Sequence, residues 1–296
     1  MSNVLDAIMN IIQEGSFEAK RIKNTENSIN QVGDSLEEYI KDSFSNSFNL
    51  HGKERKKAMD RYILYHGNAK NPPDIITAGE DSIAIEVKKS KYKAALQFNS
   101  SMPHSKLGFN DTRIKKECRK LLNNKEIDML YVVGTFNKGS KEKIRHLVMT
   151  YGSVYCSEKD IYEKIDFIIR NKIKELSGTL IEISPRAYMD LRTNELGKLK
   201  KIDPRGYCDL RIRGMYTYES PYIVFNETFD SDEILFDMLV IVPNNTFQQF
   251  KNKDVFLEFV RNNKDITMET KNYPDPNNNN KTITCQKIVY IKSKKE

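Results

Sequence analysis

The fold of this chain is decided by one stretch, Asn71-Pro72-Pro73-Asp74-Ile75-Ile76-Thr77-Ala78-Gly79-Glu80-Asp81-Ser82-Ile83-Ala84-Ile85-Glu86-Val87-Lys88-Lys89. Aliphatic residues alternate along its second half, so a strand there would place Glu86 and Lys88 together on one face. Pro72-Pro73 disfavours helix at the start of the stretch, and Gly79 supplies a turn in the middle. The stretch therefore predicts an antiparallel β-hairpin.

The register of this hairpin determines which side chains meet. Directly opposed residues on paired strands point to the same side of a sheet. A register centred on Glu80 places Asp74 opposite Glu86, whereas a shift by one residue turns Asp74 to the other face. A shared acidic site requires the first register, which is the one we predict.

Two carboxylates and a lysine at one point need a counter-charge. Oxygen ligands of this kind suit Mg²⁺, which is usually held by one or two carboxylates together with waters and substrate phosphate. The pair Pro73-Asp74, followed by Glu86-Val87-Lys88, resembles the motif of the PD-(D/E)XK nuclease superfamily. The alternative is a surface hairpin with ordinary charges, because both short motifs are common.

Composition and charge favour a polyanionic partner. The 296 residues include 48 Lys and Arg against 41 Asp and Glu, which gives a net charge of +7. A basic protein of this kind suits nucleic acid, although many solvated lysines would give the same total. The length allows a large core, and we predict a single elaborated domain over residues 1–296.

Cysteine usage and hydropathy indicate the compartment. The cysteines Cys118, Cys156, Cys208 and Cys285 are scattered without a C-x-x-C pair. This pattern argues against structural zinc and for a reducing cytoplasm. The N-terminus lacks a basic region followed by an apolar run, and no span approaches the length of a membrane helix. We therefore expect a soluble cytoplasmic protein with no membrane partner.

Two helices are predicted before the hairpin. The first follows from the apolar residues Val4, Leu5, Ile8, Ile11 and Ile12, and Gly33-Asp34-Ser35 is expected to open or interrupt the second. In the second helix Glu37 lies at the edge of the apolar stripe, and Glu38 points nearly opposite it. Glu37 can border a buried site or be an ordinary helix-flank charge, while Glu38 is predicted to be solvated.

Two polar segments flank the hairpin. Residues 51–70 form a basic stretch that is either a solvated connection or a phosphate contact. Residues 96–107 are predicted to be a loop whose small polar groups suit contact with phosphate or base edges. The candidate DNA-binding residues of this loop are Asn99, Ser100, Ser101, His104 and Lys106. For His104 an ordinary surface histidine is the alternative.

Several later segments should build the rest of the sheet and its cover. Residues 128–136 and 147–151 predict interior strands, and residues 234–242 and 283–291 predict two more. Between these pairs, Ser157 is expected to cap a helix that covers one sheet face with a row of isoleucines. The row consists of Ile161, Ile165, Ile168, Ile169 and Ile173. Residues 274–280 predict a low-complexity loop.

An arginine-bearing strand is predicted near residue 210. Cys208, Leu210 and Ile212 alternate with Asp209, Arg211 and Arg213. A half-buried strand would project both arginines from its open face, where bidentate pairing to guanine or phosphate is possible. A salt-bridged face with Asp209 is the alternative.

The order of these motifs is similar to that of the NgoPII family of type II restriction endonucleases, over about residues 28 to 225. The matching segments are Gly33-Asp34-Ser35-Leu36-Glu37-Glu38-Tyr39-Ile40-Lys41-Asp42, Asn71-Pro72-Pro73-Asp74, Glu86-Val87-Lys88-Lys89, Asn99-Ser100-Ser101-x-Pro103 and Leu210-Arg211-Ile212-Arg213-Gly214-Met215. The resemblance implies an α/β, restriction-endonuclease-like fold with a central mixed β-sheet flanked by helices. It places the catalytic core at about residues 28–155 and recognition and dimer elements at about residues 156–296.

The resemblance also implies a reaction. The expected activity is Mg²⁺-dependent cleavage of both strands of DNA at a short palindrome, with GGCC suggested by the family and 5′-phosphate ends left. A homodimer and a cognate DNA methyltransferase are the implied partners, besides double-stranded DNA.

Roles for individual residues follow from the same resemblance. Asp74 and Glu86, with the Val87 carbonyl, would bind the metal, Lys88 would sit beside the attacking water, and Glu37 would orient metal-bound water. Arg205, Arg211 and Arg213 join the loop residues as implied DNA contacts.

Two rival interpretations remain open. Asn71-Pro72-Pro73 resembles the start of the catalytic tetrapeptide of DNA amino-methyltransferases, but an aromatic residue is required where Asp74 stands. The sequence also shows no glycine-rich loop after a strand for S-adenosylmethionine. A non-catalytic DNA-binding protein would explain the charge, but it would not explain three acids and a lysine brought together.

Overall fold

The computed structural model describes residues 2–19, 28–68, 71–98, 102–111, 114–175, 182–183, 195–200, 205, 210–229 and 231–294. Its helices are α1 (Val4–Glu14), α2 (Ser28–Ser45), α3 (Gly52–Tyr62), α4 (Lys116–Leu121), α5 (Gly152–Tyr155), α6 (Lys159–Glu175), α7 (Pro221–Val224), α8 (Asn244–Gln249) and α9 (Lys253–Arg261). Among the described residues, none of these helices has the length and apolar character needed to cross a bilayer.

The strands are β1 (Ile63–Asn68), β2 (Asn71–Thr77), β3 (Ala84–Lys89), β4 (Leu96–Phe98), β5 (Lys106–Gly108), β6 (Glu126–Phe136), β7 (Ile144–Tyr151), β8 (Glu182–Ile183), β9 (Glu195–Lys200), β10 (Leu210–Arg213), β11 (Tyr216–Tyr218), β12 (Ile234–Pro243), β13 (Ile266–Asp275) and β14 (Asn278–Ser293). A nine-stranded sheet has the order β1-β2-β3-β6-β7-β12-β14-β13, and β5 pairs with β6 off this path. The β3–β6 and β7–β12 pairs are parallel, and the other pairs in this sheet are antiparallel. The sheet is therefore mixed and flanked by helices, as predicted.

The centre of the sheet is buried on both faces. Residues 129–135 of β6 and 146–151 of β7 are all buried, which is why their apolar runs do not alternate with polar residues. On one face α2 lies close to β6, because a Cβ atom on Gly134 would come within 2.6 Å of Leu36 Cδ2. The missing side chain at Gly134 thus brings α2 against the strand next to β3.

The N-terminal helix is tied to the C-terminal part of the chain. Asn3 caps α1 by accepting a hydrogen bond from the Leu5 N–H at 2.9 Å. The Asn3 amide also donates to Asn252 Oδ1 at 2.8 Å, and the Asn252 amide donates to Asp6 Oδ1 at 2.8 Å. α1 packs against both α2 and α9. Phe17, just after α1, stacks on Phe236 of β12 with ring centroids 3.9 Å apart.

Two predictions about local structure are wrong. Helix α2 runs without a break from Ser28 to Ser45, so Gly33-Asp34-Ser35 neither opens nor interrupts it. Residues 274–280 are not a loop, because β13 extends to Asp275 and β14 begins at Asn278. The turn between them is closed by its own polar side chains, since the Asn277 N–H donates to Asp275 Oδ1 at 2.8 Å.

The segment 96–107 is also less loop-like than predicted. It begins with β4, which pairs with β11, and ends at β5, which pairs with β6. The two pairings fold the segment back onto the protein. Asn99, Ser100 and Ser101 lie outside the described residues, as does Cys208. The other three cysteines, Cys118, Cys156 and Cys285, are buried and free.

The prediction that α6 covers a sheet face with its isoleucines is wrong. Ile161, Ile165, Ile168 and Ile169 are exposed, and the buried side of the helix carries Tyr162, Asp166, Arg170 and Ile173 instead. The predicted cap is also wrong. The Ser157 hydroxyl donates to the Pro276 carbonyl at 2.7 Å, and the helix begins at Lys159. The Ser157 hydroxyl therefore binds the tip of the β13–β14 hairpin and does not cap α6.

Candidate active site

The hairpin has the predicted register. Strands β2 and β3 pair Ile75 with Ile85 and Ile76 with Ala84, which centres the register on Glu80. Asp74 therefore lies opposite Glu86, just beyond the last paired residues. There the Val87 N–H donates to Asp74 Oδ2 at 2.7 Å, so the carboxylate accepts the hydrogen bond that a backbone carbonyl would accept in a regular strand pair.

Strand β1 presses against the same point from the other side. A Cβ atom on Gly67 would come within 2.6 Å of the Asp74 Cα and carbonyl oxygen, so only glycine fits there. The Asp74 backbone is thus held between β1 and β3. This close packing fixes the carboxyl group that begins the candidate site.

Glu86 has one satisfied and one unsatisfied oxygen. The residue is 5% exposed, and Glu86 Oε1 accepts a hydrogen bond from Lys88 Nζ at 2.5 Å. The other oxygen, Oε2, is buried without a hydrogen-bond partner. A buried carboxylate oxygen left without a partner is costly, which marks a position where a cation or an ordered group would be stabilised.

The Asp74 carboxyl is strongly perturbed in the absence of metal. Burial and the neighbouring Glu86 raise the pKa of Asp74, and the Lys88 ammonium and the Val87 N–H lower it. The net result is a pKa of about 8. Two acids placed side by side in a buried site cannot both ionise cheaply unless a cation joins them.

Lys88 lies between the acids and an aromatic ring. Burial lowers the pKa of Lys88, but the Glu86 and Asp74 carboxylates raise it, and the net direction is upward. Its Nζ atom lies 5.5 Å from the centroid of the Phe98 ring, which is buried in β4. The lysine therefore keeps its proton and has little freedom to move.

Helix α2 brings Glu37 into electrostatic reach of the acids. Glu37 is among the groups that raise the pKa of Asp74. Its carboxylate is held by Lys41 Nζ at 2.6 Å, and burial raises the pKa of Glu37 itself. Among described residues, no group of three or more His, Cys, Asp or Glu side chains is arranged to hold a metal. Asp74 and Glu86 offer two neighbouring carboxylates, and Mg²⁺ sites in proteins commonly use one or two.

The prediction that Glu38 is solvated is wrong. Its side chain is 27% exposed and forms ion pairs with Lys41 at 2.9 Å and with Arg55 at 2.7 Å. Helix α3, which carries Arg55, packs across the side of α2 that the sequence pattern assigned to solvent. Part of the basic stretch 51–70 is thus helix α3, whose Arg55 offsets the negative charge of Glu38 on α2.

His104 is buried, so the alternative of an ordinary surface histidine is wrong. Its side chain is 1% exposed and lies 3.5 Å from Asp111. Its backbone N–H donates to the Tyr131 hydroxyl at 2.7 Å, and that hydroxyl donates to the His104 carbonyl at 3.0 Å. Lys106, two residues on, is exposed at the start of β5.

Two of the predicted DNA-binding arginines belong to a different sheet from the acids. Arg211 and Arg213 belong to β10, in a separate three-stranded sheet of order β10-β9-β8. They pair with Lys198 and Glu195 of β9. Arg213 and Arg205 are exposed, and the side chain of Arg211 lies outside the described part of the chain.

Two supporting residues escaped the sequence analysis. Lys41 is 6% exposed and joins both glutamates of α2, and its four-residue spacing from Glu37 is the signal that would have found it. Phe98 reaches Lys88 only through the tertiary fold, so no local signal points to it.

Comparison with known proteins decides the family. The family model described as NgoPII restriction endonuclease matches residues 2–273. This chain belongs to the NgoPII restriction endonuclease family. The family match includes α1 and extends into β13, well beyond the segments that carry the motifs. The family membership favours the endonuclease over the methyltransferase and the non-catalytic DNA-binding protein.

A curated relative covers nearly the whole chain. The type II restriction enzyme NgoPII of Neisseria gonorrhoeae is 37% identical over 288 residues, which span 95% of this chain and 99% of the relative. No solved structure matches. The structure of this chain therefore shows where the candidate active site lies in one member of the NgoPII family.

Proposed function

We propose that this protein hydrolyses both strands of duplex DNA at a short palindromic sequence, with Mg²⁺ as its cofactor and 5′-phosphate ends as its products. The observation that carries the proposal is Glu86 Oε2, a buried carboxylate oxygen without a hydrogen-bond partner beside the Asp74 carboxyl. Family membership supports the reaction class. The GGCC sequence associated with the family is the first site to test.

The residues that would hold the metal are Asp74 and Glu86, with the Val87 carbonyl completing the set. When bound, Mg²⁺ supplies positive charge that activates water and offsets the negative charge developing on the phosphate. The Val87 N–H already fixes Asp74 Oδ2, so the carboxylate has little reorganisation left to make. The unpartnered Glu86 oxygen gains a partner, which fits the donor set that Mg²⁺ prefers.

Lys88 and Glu37 would position the attacking water. Lys88 Nζ keeps its proton and donates to Glu86 Oε1, and its remaining N–H groups are donors for water or a phosphate oxygen. Phe98 limits the directions in which the ammonium can move. Glu37 would accept a hydrogen bond from the same water on the helix side, with Lys41 keeping the Glu37 carboxylate in place.

Digestion of a sequenced plasmid tests the proposal. We expect discrete bands in Mg²⁺, uncut plasmid in EDTA, and run-off sequencing that places every end in one palindromic sequence. Fragments that ligate without prior phosphorylation would show 5′-phosphate ends. A plasmid containing GGCC sites that stays uncut in both Mg²⁺ and Mn²⁺ would reject the proposed reaction.

Metal binding should release a proton over a defined pH range. The pKa of Asp74 is raised from 3.8 to about 8, so the metal-free carboxyl holds a proton that a divalent cation must displace. Titration calorimetry in two buffers of different ionisation enthalpy should detect this release between about pH 4 and pH 8. Asp74→Asn should abolish it. Equal apparent enthalpies in both buffers for the wild type would contradict the raised pKa.

The raised pKa of Asp74 also determines how the stability of the folded protein changes with pH. Between pH 3.8 and about 8 the folded, metal-free protein binds more protons at Asp74 than the unfolded chain does. The contribution of Asp74 to the free energy of unfolding therefore falls as pH rises through that range, opposite to an ordinary ion-paired aspartate.

Cleavage of both DNA strands implies which proteins this chain would work with. A palindrome presents two equivalent phosphodiester bonds, and one chain supplies one pair of catalytic acids, so the active unit would be a homodimer with two-fold symmetry. A cognate DNA methyltransferase would protect the same sequence in the host. An enzyme that cleaves DNA in this way would act in the cytoplasm, where its substrate lies.

Basic residues away from the acids would read the DNA. Arg213 and Arg211 would contact bases or phosphates from β10, Arg205 would do so from the segment before it, and Lys106 from β5. Asn99, Ser100 and Ser101 remain proposed contacts. His104 is buried, so it would support this segment from behind instead of touching DNA.

Arg213→Lys should lose discrimination at a G·C pair. A guanidinium pairs with guanine O6 and N7 at once, and lysine keeps the charge without the fork. The expected loss is about 1–3 kcal/mol, measured by competition binding in Ca²⁺ with cognate and singly substituted duplexes. Arg261→Lys on α9 is the matched control and should keep full discrimination. Uniform weakening on every duplex would assign Arg213 to phosphate instead.

A further inference from the structure

Helix α6 displays an apolar row to solvent. Among the described residues, thirteen large hydrophobic side chains are exposed, and five of them lie on this helix. They are Ile161, Ile165, Phe167, Ile168 and Ile169, with exposures of 42, 48, 64, 51 and 36%. At helical spacing the four isoleucines fall on one face about 100° wide, and Phe167 lies on a different side of the helix and is not part of this row. A contiguous exposed apolar face of this kind marks an interaction surface.

The inner face of α6 is firmly attached to the protein. The Tyr162 ring packs edge-on against Tyr216 with centroids 5.5 Å apart, and the Tyr216 hydroxyl donates to Asp166 Oδ1 at 2.6 Å. At its start, the Glu158 N–H donates to Asn277 Oδ1 at 2.7 Å. The isoleucine row is therefore held outward by specific contacts on the adjacent, buried side of the helix.

The row is complementary to itself. If two α6 helices pack antiparallel about a two-fold axis near Ile165, Ile161 of each copy meets Ile169 of the other. The same arrangement brings Glu158, exposed before the first turn, towards Lys172, exposed in the last turns. Antiparallel helix dipoles also oppose each other favourably. A surface that matches its own copy in shape and charge is the requirement for a two-fold interface.

The row is also linked to the candidate active site. Tyr216, which holds α6, is the register partner of Phe98 in the β11–β4 pair. Phe98 in turn contacts Lys88 Nζ. The inner face of α6 is thus joined to Lys88 of β3 through three successive contacts, which gives a pairing surface on α6 a fixed relation to the acids.

We propose that α6 is the surface through which two copies of this chain pair, antiparallel and about a two-fold axis near Ile165. The occupant is a second copy because the row complements itself, and because two-strand cleavage needs two sites. The proposal rests on the proposed function for that second reason. It adds the surface, its residues and their orientation.

Oligomeric state tests the pairing surface directly. We expect wild-type protein to be a dimer by light scattering after size exclusion, and Ile165→Asp to be a monomer. The substitution places two carboxylates next to each other across the axis in an apolar contact. Val255→Asp on α9 is the matched control, since Val255 is 61% exposed, and it should stay a dimer. A wild-type monomer, or a dimer that persists in Ile165→Asp, would overturn the proposal.

Cross-linking keeps the proposal testable if Ile165→Asp does not fold. A residue close to a two-fold axis faces its own copy, so Ile165→Cys should form a disulfide-linked dimer on mild oxidation, whereas Val255→Cys should not. Absence of this dimer at Ile165 and at its neighbour Ile168 would reject the axis. The two proposals fail separately. A dimer that leaves plasmid uncut rejects the nuclease function alone, and full cleavage by a dimeric Ile165→Asp rejects the α6 surface alone.

Discussion

Glu86→Gln should abolish DNA cleavage while DNA binding in Ca²⁺ remains nearly unchanged. Glutamine has the shape of glutamate, but it removes the charge from the buried, unpartnered Oε2 atom beside Asp74. The loss of this ligand charge should lower the cleavage rate by about 10³-fold or more, the scale seen when a group that stabilises transition-state charge is removed. The measurements are the rate of plasmid linearisation in Mg²⁺ and duplex binding by fluorescence anisotropy in Ca²⁺.

The same substitution at Glu80 is the matched control. Glu80 lies in the hairpin turn and is paired with the exposed Lys251 at 2.5 Å. Glu80→Gln should cut at the wild-type rate. Cleavage by Glu86→Gln at the wild-type rate would remove Glu86 from the metal site. An equal loss of binding and cleavage would instead show that Glu86 contacts the DNA.

Asp237→Ala should be the most destabilising single substitution among those considered. Asp237 is fully buried in β12, where His146 Nδ1 lies 2.5 Å from Oδ2 and the Tyr222 hydroxyl donates to Oδ1 at 3.0 Å. Alanine would leave two buried polar groups without their partner. The expected loss in the free energy of unfolding is about 3–5 kcal/mol, measured by urea denaturation.

Two controls separate this polar cluster from a general effect of mutation. Asp232→Ala removes an exposed aspartate and should change stability by less than about 0.5 kcal/mol. Asp237→Asn keeps the shape and one acceptor, so its loss should be intermediate. A loss below about 1 kcal/mol in Asp237→Ala would mean that His146 and Tyr222 find other partners.

The acidic pair could be predicted because its determinants are local. The alternating strand and the turn at Gly79 left two registers, and the requirement that both acids share one face selected the register that places Asp74 opposite Glu86. Lys88 follows two residues later on the same face. The compact runs that form β6, β7 and β12 were equally readable, because strands buried on both faces are apolar throughout.

Features that depend on distant elements were not predictable. Periodicity shows that α6 has an apolar face, but it does not show whether a sheet, a second copy or solvent lies against it. Glu38 was predicted to be solvated because the sequence around it does not indicate that Arg55 of α3 packs there. The burial of His104 depends on Tyr131, which lies 27 residues away. Asp237 is a charged residue within an apolar strand, but the sequence does not indicate its partner His146, which is 91 residues away.

The tie between Asn3, Asp6 and Asn252 imposes an order on how the protein is made. A ribosome delivers α1 first and α9 late, so α1 lacks one of its packing partners until residue 252 has been synthesised. Helix α1 also packs against α2, which carries Glu37, so the helix side of the candidate active site gains this C-terminal support only late in synthesis.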